Sequence, residues 1–194
     1  MMHEKALQRL LDGNRRYAAN KPTLDESESR RIEVADHQKP FATILSCVDS
    51  RVAPELVFDQ GLGDLFVIRT AGQVLDHAVL GSLEFGVKEL HIPVLMVLGH
   101  ERCGAIKAAM TALAKHREAE ADIEFLVEAL APAVEAGKKA GGDPWDAAVR
   151  AQIGLLVDTL KHVPILSAAV EARKLLIVGA YYNLETGLVE ITVP

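Results

Sequence analysis

From Phe41 to Val193 the chain alternates short runs of Val, Ile and Leu with segments of helical period, and this alternation constrains the fold most. The apolar runs read as buried strands at Phe41 to Ser46, Leu65 to Ile68, Ile92 to Leu98 and Leu175 to Val178. Helical patterns fall between them at Pro54 to Phe58, Val74 to Leu90, Ala105 to Lys115, Ile123 to Lys138 and Pro144 to His162. Asp143 and Pro144 open the last of these as N-cap and first helical residue. Strands this apolar, separated by helices, predict a mostly parallel sheet covered on both faces. A fifth run, Leu188 to Val193, follows a short turn and is expected to pair antiparallel with the fourth. The expected class is α/β, with strand order 2-1-3-4, an antiparallel fifth edge strand and flanking helices.

Residues 1–40 are expected to form an N-terminal helical arm, and residues 41–194 the α/β domain, in a single domain overall. Within the arm, Glu4 to Ala19 reads as an amphipathic helix with Leu7, Leu10 and Leu11 on one side. A polar connection from Asn20 to Lys39 follows, expected as loop with a short helix. A helix set off in this way can cover a partner chain or its own domain.

Charge narrows the function. With 21 Lys and Arg against 27 Asp and Glu, the 194-residue chain carries a formal charge of −6, so nucleic-acid backbones and anionic membranes are not expected partners. The opening Met1 to Lys5 runs directly into mixed charge, and the strongest apolar run, Ile92 to Leu98, is of strand length. A cytoplasmic location is the expectation. The two cysteines, Cys47 and Cys103, are open at this level to a disulfide, to metal binding or to reactivity.

Two clusters stand at predicted strand ends: Cys47-Val48-Asp49-Ser50-Arg51 after the first strand and His100-Glu101-Arg102-Cys103-Gly104 after the third. Open α/β sheets place their sites at the carboxyl ends of strands, where the strand order reverses. If strands one and three are neighbours there, Cys47, His100 and Cys103 converge. Two thiolates and an imidazole suit zinc, and three protein ligands leave a fourth position open, which is the catalytic arrangement. Buried or redox-active thiols are the plainer alternative. Asp49 and Arg51 can pair as carboxylate and guanidinium, either as a salt bridge steadying the loop or as a positioned carboxylate beside the metal.

Cys47-Val-Asp-Ser-Arg51 together with Gly99-His-Glu-Arg-Cys-Gly104 resembles the two signatures of the β-class carbonic anhydrases. The resemblance implies a zinc enzyme that interconverts carbon dioxide and bicarbonate, built as a homodimer or a dimer of dimers, with the N-terminal helix embracing the partner. By position, Cys47, His100 and Cys103 match the zinc ligands, with one Zn2+ per chain. Asp49 and Arg51 match the catalytic pair, and Asp49 can also swing onto the metal. Gln38 matches a glutamine that donates to bound substrate, and Gly104 a glycine whose N–H lies near the metal. Phe66, Ala71 and Phe85 fall where the family places apolar walls, although as residues they read equally as core. Arg69-Thr-Ala-Gly-Gln73 departs from the common Arg-Asn-Ala-Gly-Asn, so hydrogen bonding behind the site is expected to differ. His37 and His77 are candidate proton relays.

The mechanism so implied uses zinc to lower the pKa of its bound water to about 7, with Asp49 accepting the hydroxide's hydrogen bond and Gln38 donating to the forming bicarbonate. Two rivals stand beside it: a zinc hydrolase acting on carbonyl sulfide or carbon disulfide, and a non-catalytic domain with a structural metal. The latter needs Asp49 as a fixed fourth ligand. Some family members bind an inhibitory bicarbonate with a tryptophan, an arginine and a tyrosine. Here Ile44 stands at the tryptophan's place, with Arg69 and Tyr181 or Tyr182 as the remaining candidates. Isoleucine offers no donor, so the expectation is an open site with Asp49 on Arg51.

Overall fold

The structure, a computed structural model, describes residues 2–115 and 119–194. Among these residues, five strands form one sheet: β1 (Ala42–Cys47), β2 (Leu65–Thr70), β3 (Val94–His100), β4 (Leu176–Tyr182) and β5 (Val189–Val193). Their order is β2-β1-β3-β4-β5, parallel except for the antiparallel β4–β5 pair, as the sequence predicts. The order reverses between β1 and β3, which are paired through Ser46 and Leu98. The carboxyl ends of these two strands are therefore adjacent, and each ends on a residue of the two clusters.

Among the described residues, eight helices surround the sheet: α1 (Met2–Ala18), α2 (Glu28–Glu33), α3 (Pro54–Val57), α4 (His77–Lys88), α5 (Gly104–Lys115), α6 (Ile123–Lys139), α7 (Pro144–Lys161) and α8 (Pro164–Glu171). Because side chains alternate across a strand, the sheet feeds two cores. Leu45, Leu95, Val97 and Ile177 pack with apolar residues of α4 to α8 on one face. Ile44, Met96, Leu98 and Val178 pack with Ala6, Leu10, Val57 and Phe58 on the other.

Several expectations need correction. The helix expected from Val74 starts at His77, because Asp76 caps it by accepting from the Val79 N–H, while Ala71–Gln73 forms a 3-10 turn. Helix α8 lies where the sequence pattern predicts none; Pro164 restarts the chain directly after α7. Cys47 and His100 are the last residues of their strands and do not follow them, and β4 runs on to Tyr182 because both its neighbours pair it to that point.

Within the single chain, the arm packs on its own sheet. Leu10 is fully buried, and Ala6 nearly so, against the chain's own sheet. The approach is close: a Cβ on Gly13 would lie 1.8 Å from the Phe58 carbonyl oxygen, so only glycine lets α1 meet the end of α3. Asn14 fixes the far end, donating to the carbonyls of Val57 and Gly187 and accepting from the Val189 N–H. Among the described residues no single helix is long and apolar enough to cross a membrane.

Candidate metal centre

The two strand ends bring Cys47 Sγ, a His100 ring nitrogen and Cys103 Sγ within 4.8 Å of one another, all three residues being buried. Arg102 makes the second half of this possible. Its left-handed backbone (φ 53°) turns the chain sharply between His100 and Cys103, aiming both inward before α5 begins at Gly104. Glu101 anchors the turn: its N–H donates to the Tyr182 carbonyl and its carboxylate accepts from the Leu184 N–H and from Arg102.

The donor set fits zinc on three grounds. His100 Nδ1 lies 2.9 Å from the Glu101 carbonyl, which can only accept; Nδ1 therefore carries the proton and Nε2 presents a bare lone pair. That Nε2 is buried and has no hydrogen-bond partner, the arrangement of a ligand nitrogen. The two sulfurs are 4.0 Å apart, against the ~3.8 Å separating two thiolates on a tetrahedral zinc. Both cysteines are free, their sulfurs standing apart with no disulfide between them.

Electrostatics point the same way. The Cys103 thiol donates to Cys47 and draws its pKa well below the ordinary thiol range, assisted by His100 and by the N–H groups of Gly72 and Asp49. The same contact pushes Cys103 up. One proton leaves easily and the second is held, so a dication between the sulfurs is what allows both to ionise.

Asp49 stands beside this group and outside it. Its Oδ2 is 3.8 Å from His100 Nε2, while both carboxylate oxygens are engaged by Arg51. The Arg51 guanidinium holds the carboxyl down to about 2, against the opposing effect of burial. Asp49 is therefore paired with Arg51, and its carboxylate lies outside the Cys47, His100 and Cys103 group. Arg69 braces the loop, donating from Nε to the Cys47 carbonyl and from Nη2 to the Asp49 carbonyl.

Of the other candidates, Gly104 and Ala71 adjoin this group and the rest lie apart from it in the single chain. Gly104 begins α5 with open space where a Cβ would point. Phe66 pairs with Thr43, four residues up the sheet from the Cys47–Thr70 pair, and its ring stacks on Phe85, which is 48% exposed. Gln38 is exposed ahead of β1, Ala71 opens the 3-10 turn after β2, and His37 and His77 lie exposed on the surface.

Sequence reasoning missed several contributors. The Gly72 N–H donates to Cys47 Sγ at 3.4 Å, and Gln152 donates to the Gly72 carbonyl at 3.2 Å. The Gln73 amide donates to the Leu98 carbonyl, and the Trp145 indole N–H to the Cys103 carbonyl at 2.9 Å. A signal existed for one of them. Gln152 is the only polar residue on the buried face of α7, among Val149, Ile153 and Leu156.

Residues 42–189 match a protein family described as carbonic anhydrase. A carbonic anhydrase of Mycolicibacterium smegmatis is 40% identical over 185 residues, covering 94% of this chain and 89% of its own. Carbonic anhydrase 2 of Mycobacterium tuberculosis is 41% identical over 180 residues, covering 92% of this chain and 87% of its own. A Coccomyxa β-carbonic anhydrase, solved in complex with acetazolamide, has a TM-score of 0.77 at 29% identity, over 95% of this chain and 85% of that one. A tetrameric β-carbonic anhydrase of Sordaria macrospora shares the fold, with a TM-score of 0.74 at 19% identity over 82% and 84% of the two chains.

Proposed function

This chain belongs to the β-class of the carbonic anhydrase family, and on that premise we propose that it hydrates carbon dioxide at one zinc ion per chain, held by Cys47, His100 and Cys103. The observation that carries the reading is the unpartnered His100 Nε2, buried and facing two free sulfurs beside an ionised carboxylate. Zinc in such a site supplies a water acidic enough to lose its proton near neutral pH.

The chain's own groups do the rest. Asp49 Oδ2, on the side facing Nε2, is placed to accept a hydrogen bond from the attacking water and so to aim its lone pair at the carbon. Arg51 keeps that carboxylate from turning away. Being ionised well below neutrality, Asp49 acts as an acceptor throughout the working pH range. At the start of α5, Gly104 leaves the adjoining space clear for a small substrate and offers its N–H.

A homodimer completes the reading. β2 is an edge strand whose residues are mostly half-buried, with Phe85 and Leu56 exposed beside it; an unpaired apolar edge of this kind calls for cover by a second copy. β1 spans ~17 Å between its start, near Gln38, and Cys47, and Phe66 lies ~13 Å from the metal end. In this reading Gln38, Phe66 and Phe85 therefore serve the site of the partner subunit. Two free thiols given over to a metal suit a reducing compartment, which supports a cytoplasmic location. Stopped-flow hydration of carbon dioxide by zinc-loaded protein, before and after chelation, tests the assignment.

A further inference from the structure

We propose that α7 positions both thiolate ligands from one face, with Trp145 and Gln152 as positioning residues that slow the release of zinc; the proposal rests on the zinc reading above. The two side chains are seven residues apart, two helical turns, and so share a face. From that face Trp145 Nε1 donates to the carbonyl of Cys103 at 2.9 Å. Two turns further on, Gln152 Nε2 donates to the Gly72 carbonyl, and the N–H of Gly72 donates to Cys47 Sγ. One helix thus reaches one ligand through its carbonyl and the other through a peptide that bonds its sulfur.

The second link depends on a held peptide. Gly72 lies in the left-handed region (φ 63°), where a Cβ would come within 2.9 Å of Leu130, so the backbone here is free to turn unless something fixes its carbonyl. Gln152 is that restraint. An N–H aimed at a thiolate withdraws charge from the sulfur and fixes its direction, which favours the bound geometry over the open one. The helix supplying these contacts is itself anchored at its start. Asp143 caps it through the Trp145 N–H, Asp146 accepts from the Tyr181 hydroxyl, and Arg150 lies 4.1 Å over the Tyr181 ring. The Lys107 ammonium, 4.8 Å above the indole, holds the Trp145 ring in place.

Trp145 is the only tryptophan in the chain, so its emission reports the site directly. The test follows transfer of zinc from the wild-type holoprotein to an excess of chromogenic chelator, with indole fluorescence in parallel. Trp145→Phe keeps the ring and removes the donor; Gln152→Met keeps the bulk and removes the amide. Each should release zinc about tenfold faster than wild type. Asp59→Asn, which weakens contacts on the opposite side of the sheet, should leave the release rate unchanged although it lowers stability. Emission should shift as metal leaves the wild type and Gln152→Met. Release at the wild-type rate in both site variants, or an acceleration equally large in Asp59→Asn, overturns the proposal; if Trp145→Phe does not fold, Gln152→Met and the wild-type emission still decide it. A wild-type protein that takes up no zinc overturns the metal reading and this proposal with it, and is recognised by metal analysis before any variant is compared.

Discussion

Arg51 meets Asp49 three times: its backbone N–H and its Nε both donate to Oδ1, at 3.0 and 2.9 Å, and its Nη2 donates to Oδ2 at 2.8 Å. A fourth contact, from Nη2 to the Arg102 carbonyl at 3.2 Å, ties the pair to the turn that carries His100 and Cys103. The carboxylate is thereby fixed relative to Cys47, His100 and Cys103.

Arg51→Ala removes that orientation without removing a metal ligand. Zinc content should stay at one per chain while kcat/KM for hydration falls by about 100-fold, the scale of a mispositioned group. Wild-type kinetics in this variant would show that the pair merely steadies the loop.

Bicarbonate should inhibit without cooperativity. Ile44 is fully buried and has no polar group, Arg69 is held by two backbone carbonyls, and the hydroxyls of Tyr181 and Tyr182 are taken by Asp146 and Tyr17. Ile44 supplies no donor on its side to offset an anion's desolvation. Initial rates against bicarbonate concentration should follow a simple hyperbolic inhibition; a sigmoidal curve would contradict this account.

Acid should loosen the arm. Burial pushes the Asp59 carboxyl up, but Arg16, the N–H groups of Thr23 and Leu24 and the Thr23 hydroxyl together outweigh it and leave the value below 3.8. A carboxylate whose folded value is depressed contributes stability that is present above 3.8 and is lost as pH falls through the lower, folded value. Asp59→Asn should therefore melt about 5 °C below wild type at neutral pH, with the gap narrowing as the pH falls below 3.8. A gap that persists in acid would place its origin outside this ionisation.

The β2 edge should hold the dimer. Phe85→Arg places a charge on the exposed ring that stacks with Phe66, and light scattering should report a monomer where wild type gives at least a dimer. A wild-type monomer at micromolar concentration would remove this surface from the account.

The sheet was legible because its strands carry their own signal, runs of β-branched and aliphatic residues cut by helical periods, and the connection lengths then left few topologies. The Cys47, His100 and Cys103 set was legible for a related reason: two short clusters stood at strand ends that parallel topology brings together. What lay hidden was long-range or conformational. Trp145 and Gln152 reach partners 42 and 80 residues away, which no local pattern announces. The left-handed turn at Arg102 has no glycine to mark it. The amphipathic period of α1 was visible, but periodicity does not say whether the chain's own sheet or a partner's buries Leu10.

The central claim is that Cys47, His100 and Cys103 hold a catalytic zinc, and metal-dependent turnover tests it most directly. Zinc per chain and the stopped-flow rate of carbon dioxide hydration should be measured on the same samples of wild type, Cys47→Ser and Cys103→Ser. The account predicts about one zinc per chain with activity in the wild type, and parallel loss of both in each serine variant. Full hydration activity in protein stripped of metal, or one zinc per chain retained in both variants, would contradict it.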